Sequence, residues 1–130
     1  MKNVSETITI RKPKKGKLPR LPFLDIKEKV LGKKYELSIV FASKKLAQEL
    51  NIRYRGKDYV PNVLSFPLSK TSGEMVINLE TVKREAPQFG KSYEKFLGFI
   101  FIHGLLHLKG MAHGSIMEKQ EVRLSKKFNF

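Results

Sequence analysis

With 130 residues, 41% of them apolar, the chain is long enough for one folded domain with its own core, residues 1–130, and too apolar for a disordered protein. It contains no cysteine, which excludes disulfide partners and favours a reducing compartment, here expected to be the cytoplasm. Its 26 lysines and arginines against 12 acidic residues give a formal charge of +14, an excess that favours nucleic acid as a partner.

Hydrophobic periodicity divides the chain into strands and helices, with no internal repeat. Strands are predicted where apolar residues alternate or run together, and helices where they share one helical face. In chain order these are a strand over 3–10, a helix over 21–34, a strand over 35–42, a helix over 43–51, strands over 62–68 and 73–82, and helices over 92–110 and 115–128. The order predicts an α/β (α+β) domain, with a single small mixed sheet of about four strands and about four to five helices.

The same patterns predict which helical side chains face the core. Leu46, Ala47 and Leu50 share one face of the helix that Ser43 is expected to cap. Ser115 is the predicted cap of the last helix. The residues expected to point inward from that helix are Ile116, Val122 and Leu124.

Positive charge is concentrated in three stretches. Residues 11–20 hold six basic residues together with two prolines and a glycine, which predicts a basic loop. Residues 53–57 add three basic residues, and residues 119–127 add four against one acid. Solubility is the simpler explanation for such charge, but its clustering favours nucleic acid as a partner. A membrane is not expected, because the longest apolar stretch, residues 96–108, is shorter than the about 20 residues that span a bilayer.

All three histidines of the chain lie within residues 103–113. His103 and His107 are four residues apart, which places both rings on one face of a helix. Gly110 is expected to end the helix in a left-handed conformation, so that His113 can turn back and supply a third nitrogen. Three imidazoles leave one position of a tetrahedral ion open, which is typical of catalytic zinc. We therefore predict one Zn²⁺ per chain on a buried core helix, with another divalent transition metal as the alternative.

The same spacing, HxxxHxxGxxH, is the ligand frame of metzincin proteases, which carry a glutamate after the first histidine as general base. Gly104 occupies that position here and has no side chain. Amide hydrolysis normally needs this base, so the sequence favours a phosphodiester, on which zinc can stabilise charge. A metallopeptidase-like hydrolase on the same frame stays open as an alternative.

A second motif lies at residues 51–67, NIRYRGKDYVPNVLSFP, and is followed by GEMVI at residues 73–77. Joined with HGLLHLKG and the later His113, it resembles the YbeY family, the bacterial endoribonucleases of rRNA maturation. The resemblance is specific over residues 50–125. The chain departs from the family at Met111-Ala112, where the family has tyrosine and aspartate before the third histidine.

The resemblance implies a sheet with the metal helix packed behind it and a cleft over the histidines. It also implies a single-strand-specific endoribonuclease that acts in small-subunit (16S) rRNA maturation and ribosome quality control, with Arg55 central to its site. A guanidinium suits that role because it binds phosphate through two hydrogen bonds. We predict Arg55 and His107 as catalytic residues, and Arg53, Arg55 and Lys57 as contacts to single-stranded RNA. A second alternative stays open, a non-catalytic ribosome-associated protein with a structural metal.

Four further polar residues have less specific expectations. Asn62 and Ser65 are expected to hold turns and strand ends rather than to do chemistry. Glu118 and Glu121 are expected on a solvated helix face rather than beside the metal.

Overall fold

The computed structural model describes residues 7–11 and 17–130. The strands are β1 (Ile8–Arg11), β2 (Glu36–Phe41), β3 (Val63–Ser69) and β4 (Ser72–Ile77). The α-helices are α1 (Phe23–Leu31), α2 (Lys44–Arg55), α3 (Leu79–Glu85), α4 (Tyr93–Leu108) and α5 (Ser115–Lys127), and a 3₁₀ helix, Ala86–Phe89, joins α3 to α4. Half of the basic loop predicted over 11–20, residues 12–16, lies outside the described residues.

The four strands form one mixed sheet in the order β1-β2-β4-β3. β2 pairs in parallel with both β1 and β4, whereas β3 pairs antiparallel to β4. Parallel neighbours need a crossover connection, and α1 lies between β1 and β2 in the chain, while α2 and β3 lie between β2 and β4. A tight turn at Lys70-Thr71 joins β3 to β4. The predicted α+β class with a four-stranded mixed sheet is confirmed.

Helix α4 lies in the core, against β3 on one side and against α1, α3 and α5 on others. Ten of its 16 residues are buried, and Phe96, Phe101 and Leu105 are fully inaccessible. A helix that is apolar on nearly every side avoids exposing hydrophobic surface only when other elements surround it. The buried core helix predicted from the sequence is therefore confirmed.

The predicted strand over 73–82 is too long. β4 ends at Ile77, and the side chain of Asn78 then accepts a hydrogen bond from the Thr81 backbone N–H at 2.9 Å, which caps α3. Leu79 and Val82 continued the apolar run in the sequence, but their spacing of three suits a helical turn equally well. The sequence pattern therefore concealed a short helix.

Three side chains predicted to face the core are exposed instead. Leu46 is 41% exposed, Ile116 71% and Val122 53%, whereas Ala47 and Leu124 are buried as expected. The last helix is rotated relative to the prediction. Its buried residues are Met117, Glu121, Leu124 and Ser125, which are spaced as one helical face. Ser115 begins this helix but makes no capping hydrogen bond.

Within the described ranges 7–11 and 17–130, no helix is long and apolar enough to cross a bilayer.

Candidate metal centre

Helix α4 places His103 and His107 one turn apart on the same face. Their Nε2 atoms lie 3.1 Å apart, and their ring centroids lie 4.6 Å apart. Both side chains are partly buried, so a ligand can reach them from the surface of the domain. The spacing of four residues therefore produces the convergence of nitrogens that the sequence predicted.

The chain turns sharply after α4 and brings His113 back to the other two rings. Gly110 has a φ of +102°, which an L residue rarely adopts. The Gly110 N–H donates to the His107 carbonyl at 3.0 Å and the Met111 N–H donates to the Leu106 carbonyl at 3.1 Å, the two bonds of a Schellman motif. The His113 ring then lies 5.2 Å from His103 and 4.5 Å from His107, between centroids. One ligand nitrogen from each histidine falls within 4.8 Å of the others.

The Nδ1 atoms of the two helical histidines are held by acceptors on the far side of the rings. His103 Nδ1 lies 2.6 Å from a carboxylate oxygen of Glu121, and His107 Nδ1 lies 3.1 Å from the Met111 carbonyl. Donation from both Nδ1 atoms is the tautomer that these acceptors favour, and in the neutral rings it turns both Nε2 lone pairs toward each other. This is the arrangement that orients imidazoles as metal ligands.

Glu121 corrects an expectation from the sequence. It was predicted on a solvated helix face, but it is only 7% exposed and its carboxylate contacts His103. Helix α5 packs against α4, so the face that carries Glu121 is turned toward the histidines. A carboxylate thus lies beside the three histidines. Glu118, in contrast, is exposed as predicted.

The donor set fits a transition metal. Tetrahedral zinc with bonds of about 2.0–2.1 Å to nitrogen places two ligand nitrogens about 3.3–3.4 Å apart, close to the separation of the His103 and His107 Nε2 atoms. Burial lowers the pKa of the His107 imidazole, and the neighbouring His103 and His113 rings and the Arg55 charge lower it further, against a smaller opposing effect of the Met111 carbonyl. A lowered pKa favours the neutral ring that a metal requires.

Gly104 lies where α4 packs closely on the sheet. A Cβ at this position would lie 2.8 Å from the Met75 methyl group and 3.0 Å from both its sulfur and the Ser65 hydroxyl oxygen. Ser65 also donates a hydrogen bond from its hydroxyl to the Gly104 carbonyl at 2.9 Å, which ties β3 to α4. A side chain at the position next to the first histidine would therefore have to displace Met75 and Ser65 of the sheet.

A cleft of about 700 Å³ opens over the histidines. Its lining joins the end of α2, the segment after it, β3, Glu85 of α3 and the histidines. The residues are Tyr54, Arg55, Tyr59, Val60, Pro61, Asn62, Val63, Leu64, Ser65, Phe66, Glu85, His103, His107 and His113. Arg55 thus shares one cleft with all three histidines. Arg53 and Lys57 are exposed but are not among the residues that line the cleft. Their contact with RNA stays a prediction.

Asn51, which the sequence motif contains without an assigned role, organises the Arg55 side of the cleft. Its side chain is fully buried, and its Nδ2 group donates to the Tyr59 carbonyl at 3.0 Å. Its Oδ1 atom accepts a hydrogen bond from Arg55 Nη1 at 3.4 Å. One buried amide therefore fixes the segment after α2 and orients the guanidinium.

Asn62 and Ser65 make hydrogen bonds that link β3 and its start to α3 and α4. Asn62 donates from Nδ2 to a carboxylate oxygen of Glu85 at 2.9 Å, which links the start of β3 to α3 across the cleft wall. Glu85 was not singled out from the sequence, because an isolated glutamate in a helical segment carries no distinguishing pattern.

Comparison with known families gives a match to the model of Endoribonuclease YbeY over residues 2–129. The chain belongs to the YbeY family. Similar relatives carry the same name. One from Alkaliphilus metalliredigens is 41% identical over 100 residues, which cover 68% of this chain and 64% of the relative. One from Bdellovibrio bacteriovorus is 42% identical over 80 residues, 60% of this chain and 53% of the relative.

A longer alignment joins the chain to a YbeY relative from Staphylococcus carnosus, 34% identical over 108 residues, with 74% of this chain and 71% of the relative covered. The chain thus spans less than two thirds of the length of the first two relatives and somewhat more of this one. The solution structure of TM1509 from Thermotoga maritima has a similar fold, with a TM-score of 0.59, 24% identity, and coverage of 93% of this chain and 88% of that one. At that identity the likeness concerns the fold.

Replacing Glu121 by glutamine is expected to weaken metal binding about tenfold, the lower end of the effect of such partners. Glutamine can still accept the His103 N–H but removes the negative charge that makes the imidazole a better ligand. The affinity is measured by competition with a chromogenic chelator. Glu118→Gln, an exposed change on the same helix, serves as the matched control. Equal affinities of the two variants would show that the Glu121 carboxylate does not tune the site.

Proposed function

We propose that this YbeY-family chain is a zinc-dependent endoribonuclease that cleaves single-stranded RNA. The observation that carries the proposal is the position of Arg55 in the same cleft as His103, His107 and His113. A three-imidazole ligand set and a guanidinium together offer a phosphodiester both a metal and a fixed positive charge. The printed names of the relatives, Endoribonuclease YbeY, support the same activity.

The three histidines would hold the zinc. His103 and His107 would bind it through their Nε2 atoms, because their Nδ1 atoms are hydrogen-bonded. Zinc with three protein ligands keeps an open position and supplies Lewis-acid activation of water and of the phosphate. Glu121 and the Met111 carbonyl keep the two helical rings in the orientation that this requires. His107, whose ring centroid lies 4.6 Å from that of His103 and 4.5 Å from that of His113, would contribute to catalysis as a ligand.

Arg55 would bind and position the phosphate. It is exposed at the cleft, and Asn51 engages its Nη1 group. A guanidinium has five N–H donors in a planar fork, so donors remain for two phosphate oxygens and for charge that develops during cleavage. Arg53 and Lys57 lie nearby in the chain and would add sequence-independent attraction to RNA, as would the overall charge of +14.

Peptide hydrolysis on the same ligand frame is less well supported. The position after the first histidine is Gly104, which is closely packed against Met75 and Ser65. A purely structural metal is also less well supported, because the metal-ligand cluster within the described residues has three members and a closed zinc site needs four.

The proposal includes a cytoplasmic location, a role in the maturation of small-subunit rRNA and in ribosome quality control, and the small ribosomal subunit as partner. It rests on the family resemblance and on the positive charge, which suits a large polyanion.

A direct test compares two substrates. The zinc-loaded chain is expected to cleave an unstructured RNA oligonucleotide and to leave casein intact, and a chelator should stop the RNA cleavage. Annealing the RNA to a complementary strand should protect it. Cleavage of casein with intact RNA would establish the peptidase alternative, and cleavage of neither, with one zinc bound, would favour a structural metal.

A further inference from the structure

The end of α2 and the segment after it carry aromatic side chains that the packing of the core does not explain. Tyr54 is 61% exposed and Tyr59 is 50% exposed, yet both line the cleft beside Arg55. Tyr54 contacts Phe66 of β3 edge-on, with ring centroids 5.3 Å apart and an angle of 66° between the rings. Such an edge contact holds the Tyr54 ring in place while most of its surface stays accessible.

Side chains of α2 hold the backbone and side chains at Asp58 and Tyr59 in place. The buried Asn51 amide donates to the Tyr59 carbonyl at 3.0 Å, and the Gln48 side chain donates to Asp58 at 2.8 Å. Because Asn51 also accepts from Arg55, the same residue fixes the distance between the guanidinium and the Tyr59 backbone. The two tyrosines and Arg55 therefore form one side of the cleft rather than three independent surface groups.

We propose that Tyr54 and Tyr59 form a base-stacking subsite that takes an unpaired nucleobase next to the phosphate bound by Arg55. This inference rests on the proposed endoribonuclease function and extends it to the recognition of the base. Every nucleobase has an aromatic face, and stacking on exposed aromatic side chains is a common mode of binding single-stranded nucleic acid.

The surroundings of the tyrosines favour stacking over reading of a base edge. Val60 and Pro61, which follow Tyr59 and also line the cleft, have apolar side chains that offer no hydrogen bond to a base. The subsite would therefore accept different bases. It would also disfavour a duplex, because a paired base is already stacked between its neighbours and cannot reach the rings.

The test separates the base from the backbone. Binding of the zinc-loaded chain is measured by fluorescence anisotropy with a 2′-O-methyl phosphorothioate oligouridylate, and with an abasic oligomer of the same length and backbone. Tyr54→Ala is expected to weaken binding of the oligouridylate about tenfold and to leave binding of the abasic oligomer unchanged. Tyr54→Phe, which keeps the ring, should bind both as the wild type does, and Tyr59→Ala should repeat the effect of Tyr54→Ala.

A matched control removes an exposed ring elsewhere. Phe89 is 57% exposed and lies outside the described cleft lining, so Phe89→Ala should change neither affinity. If Tyr54→Ala weakens binding of both oligomers equally, or of neither, the base-stacking subsite is overturned. RNA cleavage by the wild type would still support the proposed function in that case. A wild-type chain that binds neither oligomer and cleaves no RNA would overturn both.

Discussion

Replacing His107 by alanine is expected to abolish metal binding and RNA cleavage together. The His107 ring is close to both other rings, with its Nε2 atom 3.1 Å from that of His103 and its centroid 4.5 Å from that of His113. Its loss leaves two imidazoles, fewer than the three protein ligands of a catalytic zinc site. Metal content per chain is measured by mass spectrometry after dialysis against zinc, and cleavage is followed on the same preparations.

The control for this change is Lys109→Ala, an exposed substitution two residues further along the chain. It should keep both the metal and the activity of the wild type. His107 also donates to the Met111 carbonyl, so thermal unfolding of each variant is compared to show that the turn after α4 survives. Undiminished RNA cleavage by a metal-free His107→Ala chain would contradict a metal-dependent reaction.

The convergence of the three histidines could be predicted because it depends on short-range geometry. A spacing of four residues on an apolar helix fixes the first two rings, and a glycine after the helix permits the turn that returns the third. In the structure Gly110 has the left-handed conformation and His113 returns to the cluster. No knowledge of the tertiary packing was needed for that part of the site.

Glu121 could not be predicted for the opposite reason. Its position beside His103 depends on how α5 rotates when it packs on α4, and the apolar pattern of α5 gave the wrong rotation, with Ile116 and Val122 inward. A buried carboxylate within a helical pattern looks identical to a solvated one unless its partner is known. The histidine is that partner, and it lies 18 residues away in the chain.

Gly104 has a different meaning in the structure from the one suggested by the sequence. Compared with the protease frame, it marks the absence of a general base. In the fold it also permits the close contact of α4 with Met75 and Ser65, which supports the histidine face from behind. Gly104 therefore lacks the general base of a peptidase and also allows the sheet to pack closely against α4.

Replacing Arg55 by alanine is expected to lower kcat/KM for RNA cleavage about 10²- to 10³-fold, the usual effect of losing one preorganised donor to developing charge. The bound zinc should stay at the wild-type stoichiometry, because the histidines and their Nδ1 partners do not include Arg55. Arg55→Lys should recover part of the rate, since lysine keeps the charge and loses the planar pair of donors. Cleavage kinetics and metal content are measured on the same samples.

Arg123→Ala gives the matched control for the loss of one surface arginine. Arg123 is exposed on α5 and its guanidinium donates to Gln120, so its removal should affect cleavage only through the overall charge. An equal loss of activity in both variants would reduce Arg55 to a general electrostatic contact. Loss of zinc from Arg55→Ala would instead mean that the hydrogen bond from Arg55 to Asn51 supports the structure of the cleft. The role of the guanidinium would then be structural, and not binding of the phosphate.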